Sequence, residues 1–299
     1  MEVIKIQPQG FCKGVIQAMR LINYHLDSNI YPRPFYMLGG LVHNKHIIDA
    51  YQKQGIKIIS SLEGITHGSI IITAHGSSRA IKDEIINKGL GLIDATCAEV
   101  TKTHVLIEEK LQEGYAIIFY GKKEHPETKG VLGISQEIVL IEKIEDIDKI
   151  QIINPKIAFM MQTTMSHIDL KKILFLLQEK FPHLETFHDL CSATRMRQEA
   201  LIKGLDGADL VIVVGDPMSN NTKKLQEVAK AHTKSPVLLI EKIDDLLNYN
   251  FTNIKKVVVT AGASTPPAIV EEIILGLQKG LHPSKLTKDD YLRYQKTRF

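Results

Sequence analysis

The feature that most constrains this chain is an alternation of two kinds of apolar run, each ending in small or polar residues and each followed by a helical pattern. The first kind reads FYMLGGLVHN (35–44), AIIFYGKKEHPE (116–127) and LVIVVGDPMSNN (210–221). The second reads SIIITAHGSS (69–78), KIAFMMQTTMS (156–166) and KVVVTAGAST (256–265). Unbroken apolar runs of this length between turn residues read as strands buried on both faces, and strand followed by helix implies parallel sheets. Three copies of one pair of runs make a three-fold internal repeat whose period far exceeds that of a solenoid.

The cysteines keep the same rhythm. Cys12, Cys97 and Cys191 are the only three, spaced 85 and 94 residues apart, each after a short apolar or turn segment and before a helical pattern. One cysteine opens each copy, which divides the chain into lobes at 1–97, 98–190 and 191–281 and leaves a tail at 282–299 rich in lysine and aromatic residues. The expected fold class is α/β, with three small parallel-sheet lobes about a pseudo-three-fold axis. Ser166 and Asp169 fit a capping box ahead of Leu170, Ile173, Leu174 and Leu177, a helix ending near Pro182. Ser264 or Thr265 is expected to cap another, with Pro266 early in its first turn and Val270, Ile273, Ile274 and Leu277 on its buried side.

Composition narrows the classes of function. The formal charge is +3 over 299 residues with lysines spread along helical faces, which leaves no footprint for nucleic acid. No apolar run approaches the roughly 20 residues a membrane span needs, and the N-terminus lacks a basic segment followed by a long apolar one. Three cysteines argue against a disulfide framework and suit a reducing compartment, so a cytoplasmic location is expected.

In such folds ligands bind at the C-terminal ends of the strands, which here carry unusually polar loops. They hold His43 and Asn44; His75 and Gly76; His125 and Glu127; Gln162, Thr163 and Thr164; Ser219, Asn220 and Asn221; and Ser264. Any one of these is ordinarily a helix cap or a solvated loop residue. Their recurrence at equivalent places favours a cradle for phosphate or diphosphate, made of neutral donors at helix starts and histidines able to take a proton. No Walker sequence and no G-x-G-x-x-G after a strand is present, which excludes nucleotide sites of the common kinds.

Each cysteine precedes a helix, where the start of the helix favours an anionic ligand atom. A lone cysteine is as often a small buried hydrophobe. Three at equivalent positions of a three-fold repeat would meet on its axis. Three thiolates are one short of the usual four for a four-iron four-sulfur cluster, and an iron without a cysteine is open to a substrate oxygen. Zinc held by three cysteines and a histidine is the rival, although structural zinc sites normally use closely spaced pairs.

At this point the sequence resembles a known family, the 4-hydroxy-3-methylbut-2-enyl diphosphate reductases, also called LytB, which carry out the last step of the non-mevalonate isoprenoid pathway. The resemblance rests on GFCKGV (10–15), LVHN (41–44), TAHG (73–76), DATC with VTK (94–102), EHPE with Gly130 (124–130), QTT (162–164), DLCSAT with RQEA (189–200) and TAGAS (260–264). Each is weak alone; together, in order over residues 10 to 270, they are specific. Asn220 stands where the family commonly has a second serine, and Ala98 where a proline often follows the second cysteine.

What the resemblance implies is a three-lobed trefoil around a central four-iron four-sulfur cluster held by Cys12, Cys97 and Cys191, with one iron open. The diphosphate would be gripped by His43, His75, His125, Ser219, Asn220, Asn221 and Ser264, with Glu127 the acid delivering protons through Thr163. Two electrons and two protons would remove the substrate hydroxyl as water, giving isopentenyl or dimethylallyl diphosphate. A small ferredoxin or flavodoxin would supply the electrons, and in such proteins the tail often folds back over the domains. Read from its neighbours alone, Glu127 is a solvated carboxylate in a lysine-rich stretch (Lys122, Lys123, Lys129). The competing functions are a non-redox phosphate-ligand binding protein with structural zinc or unligated cysteines and, last, a thiol redox sensor.

Overall fold

The structure, a computed structural model, describes residues 1–187 and 191–292. Asp189 and Leu190 of the third cysteine motif and residues 293–299 of the tail lie outside the described residues.

In chain order the first elements are β1 (Glu2–Lys5), α1 (Lys13–Asp27), β2 (Phe35–Leu38), α2 (Lys45–Lys53), β3 (Lys57–Ile59), β4 (Ser69–Ile72), α3 (Arg79–Asn87) and β5 (Gly91–Asp94). The middle of the chain forms α4 (Ala98–Gln112), β6 (Ala116–Tyr120), α5 (Pro126–Leu132), β7 (Val139–Ile141), β8 (Ile157–Met161), α6 (His167–Lys180) and β9 (Leu184–Thr186). The last part forms α7 (Ser192–Gly204), β10 (Leu210–Val214), α8 (Asn220–His232), β11 (Val237–Ile240), β12 (Lys256–Ala261), α9 (Pro267–Lys279) and α10 (Lys288–Tyr291).

Three four-stranded sheets result, with orders β3-β2-β4-β5, β7-β6-β8-β9 and β1-β12-β10-β11. Every strand pair whose register is defined is parallel. The two repeated runs of the sequence are the central pair of each sheet, and weaker segments flank them. β8 and β10 are buried along their whole length, whereas β1 is exposed at both ends and β9 buries only its first residue. Central parallel strands are covered on both faces, which is why they read as unbroken apolar runs. In the second sheet Ile118, Phe159 and Met161 pack against Leu170, Ile173 and Leu177 of α6, while Ile117, Phe119 and Met160 pack against Ile107 of α4 and Val131 of α5. Each such side chain contributes about 1.5–3 kcal/mol by leaving water.

The repeat is visible in detail. After β7, Asp146 accepts N–H bonds from Glu142 and Lys143; after β11, Asp245 accepts them from Glu241 and Lys242. A Cβ on Gly121 after β6 would lie 2.6 Å from the Thr128 hydroxyl, and one on Gly215 after β10 would lie 2.6 Å from that of Thr222. Both turns run so close to the following helix that only glycine fits.

By contacts the chain divides into two compact units. One comprises Met1–Arg20, Gly40–Ile58 and Ala193–Phe299, the other Leu21–Gly39 and Ile59–Ser192. The sequence-based boundaries need one correction: β1, assigned with residues 1–97, pairs with β12, placing Val3 opposite Val257 and Ile4 opposite Val258. The N-terminal strand thus supplies to the third sheet the edge that β5 and β9 supply to the others. A second correction concerns α9, whose cap is Pro266 with Pro267 at its first position and no side-chain bond. Ser264 and Thr265 are turned elsewhere, the Thr265 hydroxyl donating to the Val214 carbonyl at 3.0 Å. Ser166 behaves as expected, accepting the Asp169 N–H.

The tail folds back within its own unit. Ser284 and Lys285 bond the Glu272 carboxylate of α9, the Tyr291 ring lies 4.7 Å from that of His46 on α2, and Leu292 is buried. No helix among the described residues is long and apolar enough to cross a membrane.

Candidate functional site

Each cysteine immediately precedes a helix, Cys12 before α1, Cys97 before α4 and Cys191 before α7, and the turns that end at Cys12 and Cys97 follow edge strands. Cys12 and Cys97 are held alike, their N–H groups donating to the carbonyls of Ala263 (3.1 Å) and Ala74 (3.0 Å) just beyond the second central strand of their sheets. The Cys12 sulfur accepts the Val15 N–H at 3.5 Å, and Cys97 occupies the N-cap of α4 without turning its sulfur back onto the helix. All three are half-buried and none is in a disulfide. Cys12 belongs to the first unit, Cys97 and Cys191 to the second.

The second unit also carries His75, His125, Glu127 and Thr163. The rings of His75 and His125 stand edge to face with centroids 5.3 Å apart. His125 caps α5, its Nδ1 accepting the Glu127 N–H at 3.3 Å, which leaves Nε2 to carry the ring proton and act as a donor. Pro126 begins the helix and sets Glu127 in its first turn, pointing inward, only 1% exposed. Thr163 binds both carboxyl oxygens: its N–H donates to Oε1 at 2.8 Å and its hydroxyl to Oε2 at 2.9 Å. Burial pushes the Glu127 carboxyl up to about 7, against the opposing pull of the two Thr163 bonds. Sequence neighbours gave no sign of this, because Lys123 and Lys129 face water, Lys129 pairing with Glu124 at the surface.

Gln162 braces the same place. Its side-chain oxygen accepts the Lys122 N–H at 3.0 Å and the Thr128 hydroxyl at 3.2 Å, and its amide donates to Thr164, tying the strand end of β8 to the turn and helix that carry Glu127.

The first unit brings His43, Ser219, Asn220, Asn221 and Ser264 to one region. Ser264 Oγ lies 3.0 Å from Ser219 Oγ and 3.4 Å from the His43 carbonyl. Ser219 caps α8 by accepting the Thr222 N–H, and Asn220 opens that helix, buried. The Asn221 side-chain oxygen accepts the Thr194 hydroxyl from α7 at 3.3 Å, which turns the amide nitrogen, a donor, to the other side. His43 itself caps nothing; Asn44 caps α2. Burial pushes the His43 imidazole below its usual value, Asp216 partly opposes this and Lys223 adds to it. A bound anion would act in the opposite direction to the burial and raise it.

Sequence reasoning missed Asp216, which lies inside the quoted GDPMSNN run and is 8% exposed. The available signal was an acidic residue in a loop otherwise suited to an anion.

Hydroxyls and amides at a helix start, together with the His43 imidazole, suit an anion in the first unit, and a buried proton-holding carboxyl suits acid chemistry in the second. The sequence pattern of the family described as LytB protein matches residues 3–278. The chain is similar to the 4-hydroxy-3-methylbut-2-enyl diphosphate reductases of Geobacillus kaustophilus, 45% identical over 282 residues covering 92% of this chain and 89% of the relative, and of Halalkalibacterium halodurans, 42% identical over 292 residues covering 95% and 93%. Among solved structures it resembles the E-1-hydroxy-2-methyl-but-2-enyl-4-diphosphate reductase of Plasmodium falciparum, with TM-score 0.87, 31% identity, and coverage of 99% of this chain and 98% of that one. A second similar structure is an (E)-4-hydroxy-3-methyl-but-2-enyl diphosphate reductase described as the terminal enzyme of the non-mevalonate pathway, with TM-score 0.68, 29% identity, and coverage of 93% and 100%.

Proposed function

The chain belongs to the LytB family and reduces 4-hydroxy-3-methylbut-2-enyl diphosphate in the last step of the non-mevalonate pathway, and from that premise we infer which of its residues do what. The reaction is a reductive dehydroxylation: the allylic alcohol takes up two electrons and two protons, its carbon–oxygen bond breaks, water leaves, and isopentenyl or dimethylallyl diphosphate remains.

The observation that carries the assignment of roles is the buried Glu127 with Thr163 on both of its oxygens. Hydroxide is a poor leaving group unless protonated or metal-bound, so the site needs an acid that still holds its proton near neutrality. A carboxyl raised to about 7 does so. With Glu127 protonated, the Thr163 hydroxyl accepts the Glu127 proton and offers its own to the substrate, which makes it the relay.

The diphosphate is assigned to His43, His75, His125, Ser219, Asn220, Asn221 and Ser264. Support comes from the donor set: His125 presents Nε2–H, the Thr194 bond orients the Asn221 amide as a donor, and the Ser219 and Ser264 hydroxyls are buried side by side. Asparagine in place of the second serine keeps a donor at position 220.

The reaction's electrons call for a redox centre, and Cys12, Cys97 and Cys191 fit one. They are sulfur donors at helix starts, held by equivalent backbone bonds at Cys12 and Cys97, with no disulfide among them. These three would hold one four-iron four-sulfur cluster with one iron open, which supplies single electrons and a Lewis-acidic iron. A small ferredoxin- or flavodoxin-type donor in the cytoplasm is the partner this chemistry requires, because electrons must arrive one at a time.

Anaerobic turnover of the diphosphate substrate by wild-type protein and by Glu127→Gln tests this reading. The glutamine keeps the size and removes the acid, so turnover should fall by roughly 10²–10⁴-fold, the range a positioned acid supplies, with iron content unchanged. Wild-type turnover in the variant refutes the acid's role; no turnover by iron-loaded wild-type protein refutes the reading as a whole.

A further inference from the structure

We propose that Asp216 is a positioning residue for the diphosphate end of the substrate, its single carboxylate clasping the loop that carries His43 to the loop that carries Ser219, Asn220 and Asn221. The inference rests on the assignment of those loops to the diphosphate.

The clasp has two arms. Asp216 Oδ2 accepts the N–H of Lys45, the first residue of α2, at 3.0 Å, across 171 positions of sequence. Oδ1 accepts the N–H of Met218 in its own loop at 2.7 Å. The Asp216 carbonyl meanwhile accepts the Ser219 N–H at 3.0 Å, so the same residue shapes the turn that places Ser219 at the cap of α8. An aspartate bonded to a backbone N–H two residues on is a standard turn former. Here the second oxygen reaches a different loop.

A carboxylate beside an anion-binding loop repels the ligand, so its presence calls for a compensating role. Three observations supply one. The carboxylate is nearly buried and both of its oxygens are engaged by N–H groups. The first turn of α2 is satisfied within the protein, Lys45 N–H by Asp216 and the N–H groups of His46 and Ile47 by Asn44, so that helix start is committed to holding the loop that carries His43. The Lys45 ammonium pairs with Glu241 at 2.6 Å, so Lys45 meets the Asp216 carboxylate through its backbone N–H.

The clasp can be cut from either side. Asp216→Asn offers one acceptor where two were needed. Relative to Lys45→Ala, Lys45→Pro deletes the N–H at the first helical position, where proline is well tolerated, and Asn44 already has the extended backbone (φ −158°, ψ 112°) that precedes proline. Lys45→Ala, which keeps the N–H and loses the ammonium, is the baseline for the proline variant.

The measurements are KM and kcat for the diphosphate substrate in anaerobic, iron-loaded protein, and the affinity for inorganic diphosphate by calorimetry in the same preparations. Asp216→Asn against wild type, and Lys45→Pro against Lys45→Ala, should each raise KM and weaken inorganic diphosphate binding by about 3–30-fold with kcat within about three-fold, the signature of lost ground-state grip. Unchanged KM and diphosphate affinity in both variants overturns the proposal, as does a fall in kcat with KM unchanged. Absence of turnover in wild-type protein would instead overturn the reductase assignment, while diphosphate binding by the same variants still decides the clasp.

Discussion

Thr163 holds Glu127 by both oxygens, the backbone N–H on Oε1 at 2.8 Å and the hydroxyl on Oε2 at 2.9 Å, so a carboxyl almost wholly removed from water has one residue as its immediate polar neighbour on each side. The two bonds favour the anion and burial favours the acid; burial wins, which sets the carboxyl at about 7.

That balance has a thermodynamic consequence. The folded-state value lies above the 4.5 of an unburied glutamate, so Glu127 binds its proton more tightly folded than unfolded. Its contribution is therefore fully present below pH 4.5 and is lost as pH rises through about 7, amounting to about 3 kcal/mol. Denaturant unfolding of wild type and Glu127→Gln across pH 4.5–8.5 should show this loss in the wild type and a shallower dependence in the variant. Parallel pH profiles would show that the carboxyl is not buried in the protonated form.

Thr163→Val separates the relay from the hold. It removes the hydroxyl bond to Oε2 and keeps the N–H bond to Oε1, so an anion-favouring interaction of about 1.5–3 kcal/mol goes and the Glu127 carboxyl rises further. The alkaline limb of the kcat profile should move up by about one pH unit or more, and kcat should fall because no hydroxyl remains to pass the proton. An unmoved limb would contradict the bond; unmoved kcat would contradict the relay.

Gly121→Ala tests the close approach between turn and helix. Its Cβ would meet the Thr128 hydroxyl at 2.6 Å and Phe119 Cε1 at 2.9 Å, so the first turn of α5, which carries Glu127, must shift. A loss of about 1–3 kcal/mol in stability is expected, read as a lowered melting temperature together with reduced turnover. Wild-type stability would mean that the turn has more room than the structure shows.

The central strands were legible because parallel strands covered on both faces must be continuously apolar, as LVIVV and IAFMM are. The edges were not, since LET at Leu184–Thr186 buries one residue of three. Pairing of β1 with β12 joins opposite ends of the chain and leaves no local mark. Among the site residues, position alone recommended the cysteines and histidines. Glu127 looked solvated because Lys123 and Lys129 beside it are, and what turns it inward is Pro126 starting α5 behind the His125 cap. Asp216 was hidden for the reverse reason, its charge seeming wrong for an anion loop until its two backbone partners are seen.

Iron and acid-labile sulfide per chain, measured on protein purified and kept without oxygen, test the central claim that three cysteines set a repeat apart to hold a redox centre. The account predicts about four of each, falling sharply on Cys→Ser replacement at position 12, 97 or 191 alone. Zinc in their place, or no metal after anaerobic reconstitution with iron and sulfide, would contradict it.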